Sequence, residues 1–339
     1  MSEAGTQRVL PLDGWRGAAI ALVLAGHFLP VAQINLARVG VDLFFALSGR
    51  LMAELLFVRA TPLPRFFFRR LSRVYPALAA YVVICVSVFD PAPLRIGARA
   101  AFAALTFTLN YASLWGLRGA LVDQVWSLCV EEHAYLLLGA LAFACRRGLA
   151  RPGVAILVLA AAALANGVWR ADLLAADYYD VFWRSDVAAA PILIAALAYL
   201  HRDTLVAKLG AASPWLVALG FVCKAAAFGA ALRFGVGGVA FALAVVGLEA
   251  APAWWRAALS HPALRRLGKA SFSIYLWQQP FYQMHAQGAG LWTLAAALAC
   301  GFACHYGLER PARLRLNAWR GGVARQPAPA AIQWAQGGA

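Results

Sequence analysis

Three observations predict an all-α, polytopic membrane fold for this chain. Of its 339 residues, 63% are hydrophobic and 13% charged, which excludes a soluble globule of ordinary composition. The apolar residues gather in runs of about 18 to 22, the length a helix needs to cross the hydrocarbon. Those runs are continuous, without the alternation of apolar and polar positions that marks an outer-membrane barrel. The net charge of +15 comes from short arginine clusters between the runs, the pattern that sets membrane topology, so nucleic acid is not read as a partner. Cys85, Cys129, Cys145, Cys223, Cys300 and Cys304 all lie in apolar runs with no CxxC pair, and they read as small hydrophobes with no metal site.

Apolar runs occur near 12–34, 39–58, 75–89, 98–115, 125–145, 153–170, 186–201, 214–231, 234–251, 270–288 and 291–308. The opening MSEAGTQRVLPLDG has no basic region and no small-residue cleavage site, so the first run is expected to be retained as a helix. Basic clusters at 59–73, 146–151, 201–208, 255–269 and 309–320 are expected on the cytoplasmic side. An even number of crossings must separate the first two clusters, yet three runs lie between them. The weakest is 98–115, with Thr106, Thr108, Asn110, Tyr111 and Ser113, and it reads as a re-entrant or interfacial segment. About ten spans result, with both termini cytoplasmic and lipid as the surrounding partner. Residues 1–320 read as a single transmembrane domain, and 321–339 have the composition of a disordered tail.

Polar groups within these runs are expensive in lipid and mark functional positions. Arg16 and His27 stand eleven residues apart, which in a helix is within about 20° of three full turns and about 16 Å in depth, so both line one face. Asp13 sits three residues before Arg16 as a partner. An imidazole titrates near neutrality and can take a proton from a hydroxyl, which makes His27 the candidate general base. In the second run, Asp42 lies near the outer end and Arg50 lies deeper, with Glu54 one turn on as its nearest partner.

The segment PRFFFRRLSRVYP places Arg65, Arg69 and Arg73 at four-residue spacing with Arg70 beside them, ahead of Pro76. It is either an anchor at the headgroups or a clamp for phosphates such as those of a CoA thioester. VWSLCVEEHAYLL carries Trp126, then Ser127, Glu131 and Tyr135 on one stripe and Glu132 on another. One of the two glutamates is expected to face a polar interior and to orient His27. Ser271, Tyr275, Gln278, Tyr282 and His285 form a polar stripe on a late helix, the pattern of a cavity lining. Arg184 and Asp186 stand with aromatic residues at the outer mouth of the seventh run, where they suit a sugar or an aromatic belt.

Taken in order, LDGWRG…GHF, GVDLFFALSG, RFFFRRLSRVYPAL, VWSLCVEEHAYLL, YYDVFWRSDVAAAPILIAALAYL, LSHPALRRLGKASFSIYLWQQP and ERPARL resemble the acyltransferase 3 family of integral-membrane acyltransferases. The family's Arg-x10-His motif falls on Arg16 and His27, and its Arg-x-x-Arg motif on Arg70 and Arg73. The resemblance implies a bacterial inner-membrane enzyme that transfers an acyl group, foremost acetyl, from cytoplasmic acyl-CoA to a hydroxyl of a glycan, lipid or secreted small molecule. On that reading His27 is the base, or else carries the acyl group covalently. Arg16, Glu131 and Glu132 complete the catalytic set. Arg69, Arg70 and Arg73 hold donor phosphates. Asp42, Trp126, Ser127, Tyr135, Arg184, Asp186, Tyr275, Gln278 and Tyr282 meet the acceptor. The chain departs from the family where Gln278 replaces a histidine, where Cys129 and His133 replace Ser and Gln, and at Arg50, which replaces an apolar residue. The competing readings are a transporter or flippase whose permeation path the same polar residues line, and a degenerate family member acting as a scaffold.

Overall fold

A computed structural model describes residues 10–88, 96–225, 227–229 and 231–321, so the expected tail lies outside the described residues from 322 onward. Among them the chain is helical without strands. Five helices are long and apolar enough to cross a membrane: Leu63–Val88, Val125–Arg146, Pro152–Leu173, Arg202–Cys223 and Ala231–Ala250.

The first helix, α1 (Leu10–Phe28), leads to α2 (Leu36–Ala53), whose start is capped by the Asn35 side chain accepting from the Arg38 N–H at 2.9 Å. A π turn, Glu54–Val58, extends α2 and brings Arg59 over Glu54, with which it pairs. Glu54 is therefore not the partner of Arg50, contrary to its four-residue spacing. Arg50 points the other way, donating to the Val245 carbonyl at 2.9 Å and pairing with Glu249.

Next comes α3 (Leu63–Val88), which joins the arginine cluster and the following apolar run in one helix and runs straight through Pro76. The proline removes one i to i+4 donor, a local cost that does not end a helix held by packing on both sides of it. Residues 98–115 form two short helices, α4 (Ala98–Leu105) and α5 (Leu109–Leu114), broken at Phe107 with φ 55°. At about 12 and 9 Å they are too short to cross.

The glutamate pair lies on α6 (Val125–Arg146). Next come α7 (Pro152–Val168), the short α8 (Tyr178–Phe182) and α9 (Ser185–Ala188), then α10 (Ala190–Leu200), α11 (Arg202–Leu209), α12 (Ser213–Cys223) and α13 (Gly237–Val246). The last group is α14 (Ala253–Leu259), α15 (Pro262–Ala286), α16 (Trp292–Cys304), a π turn His305–Glu309 and α17 (Arg310–Gly321).

The molecule is centred on α1, which packs along both α15 and α2. Glycine makes the α1–α15 contact possible. A Cβ on Gly17 would lie 2.0 Å from the Leu264 carbonyl oxygen, and one on Gly268 would lie 1.8 Å from that of Asp13. Backbone therefore touches backbone, and side chains on the two helices are held in fixed register. α1, α2 and α15 reach spanning length at 19, 18 and 25 residues but fall short in apolarity, because they carry the polar residues described next.

Candidate active site

His27 occupies the last turn of α1, facing α15. Its Nδ1 is 2.7 Å from Gln278 Oε1, and its ring stacks on Tyr282 at 4.3 Å between centroids and 20° between planes. The hydrogen-bond network fixes which ring nitrogen carries the proton. The Ala120 carbonyl can only accept, so the group 2.7 Å from it is the Gln279 amide nitrogen. Gln279 Oε1 then accepts from Gln278 Nε2 at 3.3 Å, which leaves Gln278 Oε1 turned to His27. An amide oxygen cannot donate, so Nδ1 bears a hydrogen, and in the neutral ring Nε2 keeps its lone pair. No described residue bonds Nε2, and the ring lines a large cavity.

That cavity holds about 1300 Å³ of empty space including its mouth. Its walls mix amides and aromatics, with Gln279, Gln283, Tyr282, Trp126, Trp183 and Tyr179 among them. Trp126 and Trp183 stack at 5.8 Å with only 6° between planes, and Arg38 lies 5.3 Å over Trp126. Flat aromatic faces beside polar side chains suit a sugar ring. Asp123, in the loop before α6, also lines this cavity and accepts from the Gly119 N–H at 3.2 Å. Burial pushes its carboxyl above the ordinary value, against the opposing pull of that N–H and of Arg118.

Inward, Tyr275 and Val41 line both this cavity and a smaller one of about 740 Å³ that contains Arg16, Arg70, Arg73, Ser48 and Glu131. Tyr275 is fixed there by Ser127 Oγ at 2.7 Å and the Gln124 carbonyl at 2.9 Å. Arg16, Leu51, Met52, Arg70 and Arg73 are shared in turn with a chamber of about 1180 Å³ at the basic end, which also holds Arg59 and Arg69. A series of cavities thus runs from an arginine-lined mouth to the imidazole.

The structure groups the sequence-predicted residues differently from their expected roles. Arg70 donates to Glu131 Oε2 at 3.1 Å, lies 3.4 Å from Glu132 Oε1, and sits 3.7 Å over the Tyr135 ring. Glu131 also accepts from Ser48 at 2.8 Å and from the Tyr135 hydroxyl at 3.0 Å. This interior ion cluster carries both glutamates, and neither bonds His27; the side chain that does is Gln278. Arg16 pairs with Asp13 at 3.5 Å and faces the central and basic cavities. Asp42, at the other end, is held by Arg38 at 3.0 Å and Lys224 at 2.5 Å. Arg184 and Asp186 bond each other at 2.9 and 3.0 Å and line none of these cavities.

Sequence reasoning missed Arg38, Trp183, Ser48 and Gln279. Arg38 and Asp42 stand at the i, i+4 spacing of a helical ion pair, a signal that could have found the arginine. Nothing local marks the others, which reach the site across other helices. Among the described residues no group of three or more His, Cys, Asp or Glu side chains is placed to hold a metal ion.

A helical membrane protein with an imidazole at the end of such a series of cavities finds its class by comparison. The chain belongs to the acyltransferase 3 family, whose acyltransferase domain matches residues 10–305. Peptidoglycan O-acetyltransferase OatA of Listeria monocytogenes is 27% identical over 311 residues, covering 79% of this chain and 48% of that protein. O-acetyltransferase OatA of Staphylococcus aureus is 31% identical over 150 residues, or 38% of this chain and 24% of that protein. A putative peptidoglycan O-acetyltransferase of Bacillus subtilis, YrhL, is 30% identical over 148 residues, again 38% of this chain and 23% of that protein. The chain thus spans less than half the length of these relatives. No solved structure matches it.

Proposed function

We propose that this chain is an inner-membrane O-acetyltransferase that moves an acetyl group from acetyl-CoA to a hydroxyl of a cell-wall glycan, peptidoglycan being the acceptor named for its relatives. It works as one domain over residues 1–320, with about ten spans and both termini in the cytoplasm. The observation that carries the reading is the His27–Gln278–Gln279–Ala120 relay, which leaves an unprotonated Nε2 on a cavity walled by aromatic and amide groups. Three further observations support it: the family match, the relatives' printed activity, and the shared lining that connects His27's cavity to the arginines.

In this reading the donor enters from the basic end, where Arg16, Arg69 and Arg73 meet its phosphates and the mixed lining of Leu12, Leu51, Leu55 and Phe66 meets its apolar parts. Arg70 has a different task. Tied to Glu131 and Glu132, it gives two interior carboxylates a cationic partner and sets the position of Tyr135 and Ser48 beside the route.

The acceptor hydroxyl lies against His27. As its oxygen attacks the thioester carbonyl, Nε2 takes the hydroxyl proton while Nδ1–H stays on Gln278. When the tetrahedral species collapses, the carbon–sulfur bond breaks and the imidazolium returns the proton to the leaving thiolate, giving an O-acetyl ester and free thiol. Gln278 is neutral, so it orients the ring without strongly stabilising the imidazolium, which keeps the return of the proton easy.

The test supplies membranes carrying wild type or His27→Ala with labelled acetyl-CoA and peptidoglycan fragments. Label on the acceptor with wild type alone is expected. Equal labelling from both would remove His27 from the mechanism, and none from either would point to transport or a scaffold.

A further inference from the structure

The α1–α15 contact that carries His27 and Gln278 also builds, at its other end, a second chamber of about 790 Å³ next to the donor mouth. It lies between α1, α15, the π turn His305–Glu309 and α17. Arg16, Arg73, Lys269, Arg310 and Arg313 line it against one lining carboxylate, Asp13. The rest of the wall is Gly268, His305 and Tyr306, so no apolar floor is offered to an acyl or lipid chain. The neighbouring chamber, which shares Asp13, Arg16 and Arg73, is instead a mixture of arginines and apolar side chains.

The second chamber is also rigid. Gly268 sits against the Asp13 carbonyl, which fixes Lys269 beside the start of α1. Glu309 is 2% exposed, accepts from Ser273 at 2.7 Å and bonds His305 at 2.9 Å, while its other oxygen lies 4.0 Å from Arg313. That carboxylate faces Arg313 from behind.

We propose that this chamber is a subsite for a compact phosphate monoester, the isolated phosphate on the ribose of the donor nucleotide. The inference rests on the reading that the donor is a CoA thioester. Its chemical basis is charge density: a phosphate monoester carries close to two negative charges near neutral pH, more than either phosphorus of a diphosphate diester. The greater cation excess and the lack of apolar wall therefore select the monoester here. The diphosphate and the rest of the donor fall to the mixed chamber.

The test is binding of CoA and of 3′-dephospho-CoA to the purified full chain, for wild type and for Lys269→Ala combined with Arg313→Ala. Monodispersity and thermal stability, with Lys269→Arg alongside, report that the variants fold. Wild type is expected to bind CoA about tenfold more tightly than dephospho-CoA, since charge-assisted bonds are lost with the phosphate. The double variant is expected to lose about that factor for CoA and nothing for dephospho-CoA. Equal affinities in wild type, or equal losses for both ligands in the variant, would overturn the subsite while leaving the donor intact. Failure of wild type to bind either ligand would remove the CoA donor and the subsite together. If the double variant loses added phosphatidylglycerol while both nucleotide affinities stay unmoved, the chamber belongs to a lipid headgroup and the assignment falls.

Discussion

The helices α1 and α15 and the helices α7 and α12 solve opposite problems within one membrane protein. Only 22% of the apolar window that includes α7, and 17% of that including α12, is buried inside the protein, so their side chains face outward and are apolar nearly all round. α1 and α15 instead meet backbone to backbone and turn Arg16, His27 and Tyr275 toward cavities, with Gln278 buried behind His27. The lesson is that apolarity finds the wall of this molecule but misses α1 and α15, the pair that carries His27 and Gln278. α1 and α15 fall short of a spanning composition because of the polar groups they carry, whereas α3 and α6 bring theirs to the centre within windows that remain apolar enough to span.

The largest expected effect that tests this contrast is at His27. His27→Ala should lower the acetyl-transfer rate by about 10²–10⁴-fold with the fold intact, read as label on the acceptor and checked by thermal stability. Next is Gln278→Leu, which leaves Nδ1–H buried without its acceptor. A loss of about 1–3 kcal/mol is expected, or roughly tenfold to a hundredfold in rate. Gln278→Glu should restore acceptance from Nδ1 and recover part of that rate, whereas Gln278→Met, of similar length but without an oxygen acceptor, should not.

Third, Gly268→Leu forces side-chain atoms into the Asp13 carbonyl and should cost about 1–3 kcal/mol or more in stability, visible as a lower Tm in detergent. The smallest effect is expected on the outer helices. Val158→Leu on α7, where the residue is 60% exposed, should stay within about 0.5 kcal/mol of wild type in the same assay. A large loss there would mean that α7 is covered by something other than lipid, and the contrast between the two helix classes would fail.

Much of the fold was legible in the sequence. Continuous apolar runs gave the helical class, and the hydroxyl- and amide-bearing stretch 98–115 was read as a non-crossing segment, where the structure has two short helices. The arginine segment was harder, because Pro76 looks locally like a boundary although packing carries α3 through it. Arg16 and His27 were visible because each is anomalous in its own run. Gln278 was visible as part of a stripe, but its bond to His27 joins residues 251 positions apart, and no periodicity encodes that.

Arg50 shows the same limit from the other side. Its four-residue neighbour Glu54 is the natural partner by spacing, yet the π turn hands Glu54 to Arg59, and Arg50 finds Glu249 across the bundle. The cost of carboxylates in lipid predicts a polar interior for at least one of the two glutamates. Its attachment to Arg70 rather than to His27 depends on how α3 and α6 lie together, which only the assembled helices determine.

The glycine contact between α1 and α15 has a geometric consequence for the donor. Arg16 and His27 stand on the one helix α1, which sets their separation at about 16 Å by eleven helical steps, and the locked backbones hold that length against the residues of α15. On the function proposed above the pair would act as a ruler: a donor whose charged head rests at Arg16 would deliver its reactive carbon to His27 only if its arm matches that length. Selection among thioesters would then be made by the reach of the arm at least as much as by the chemistry of its end.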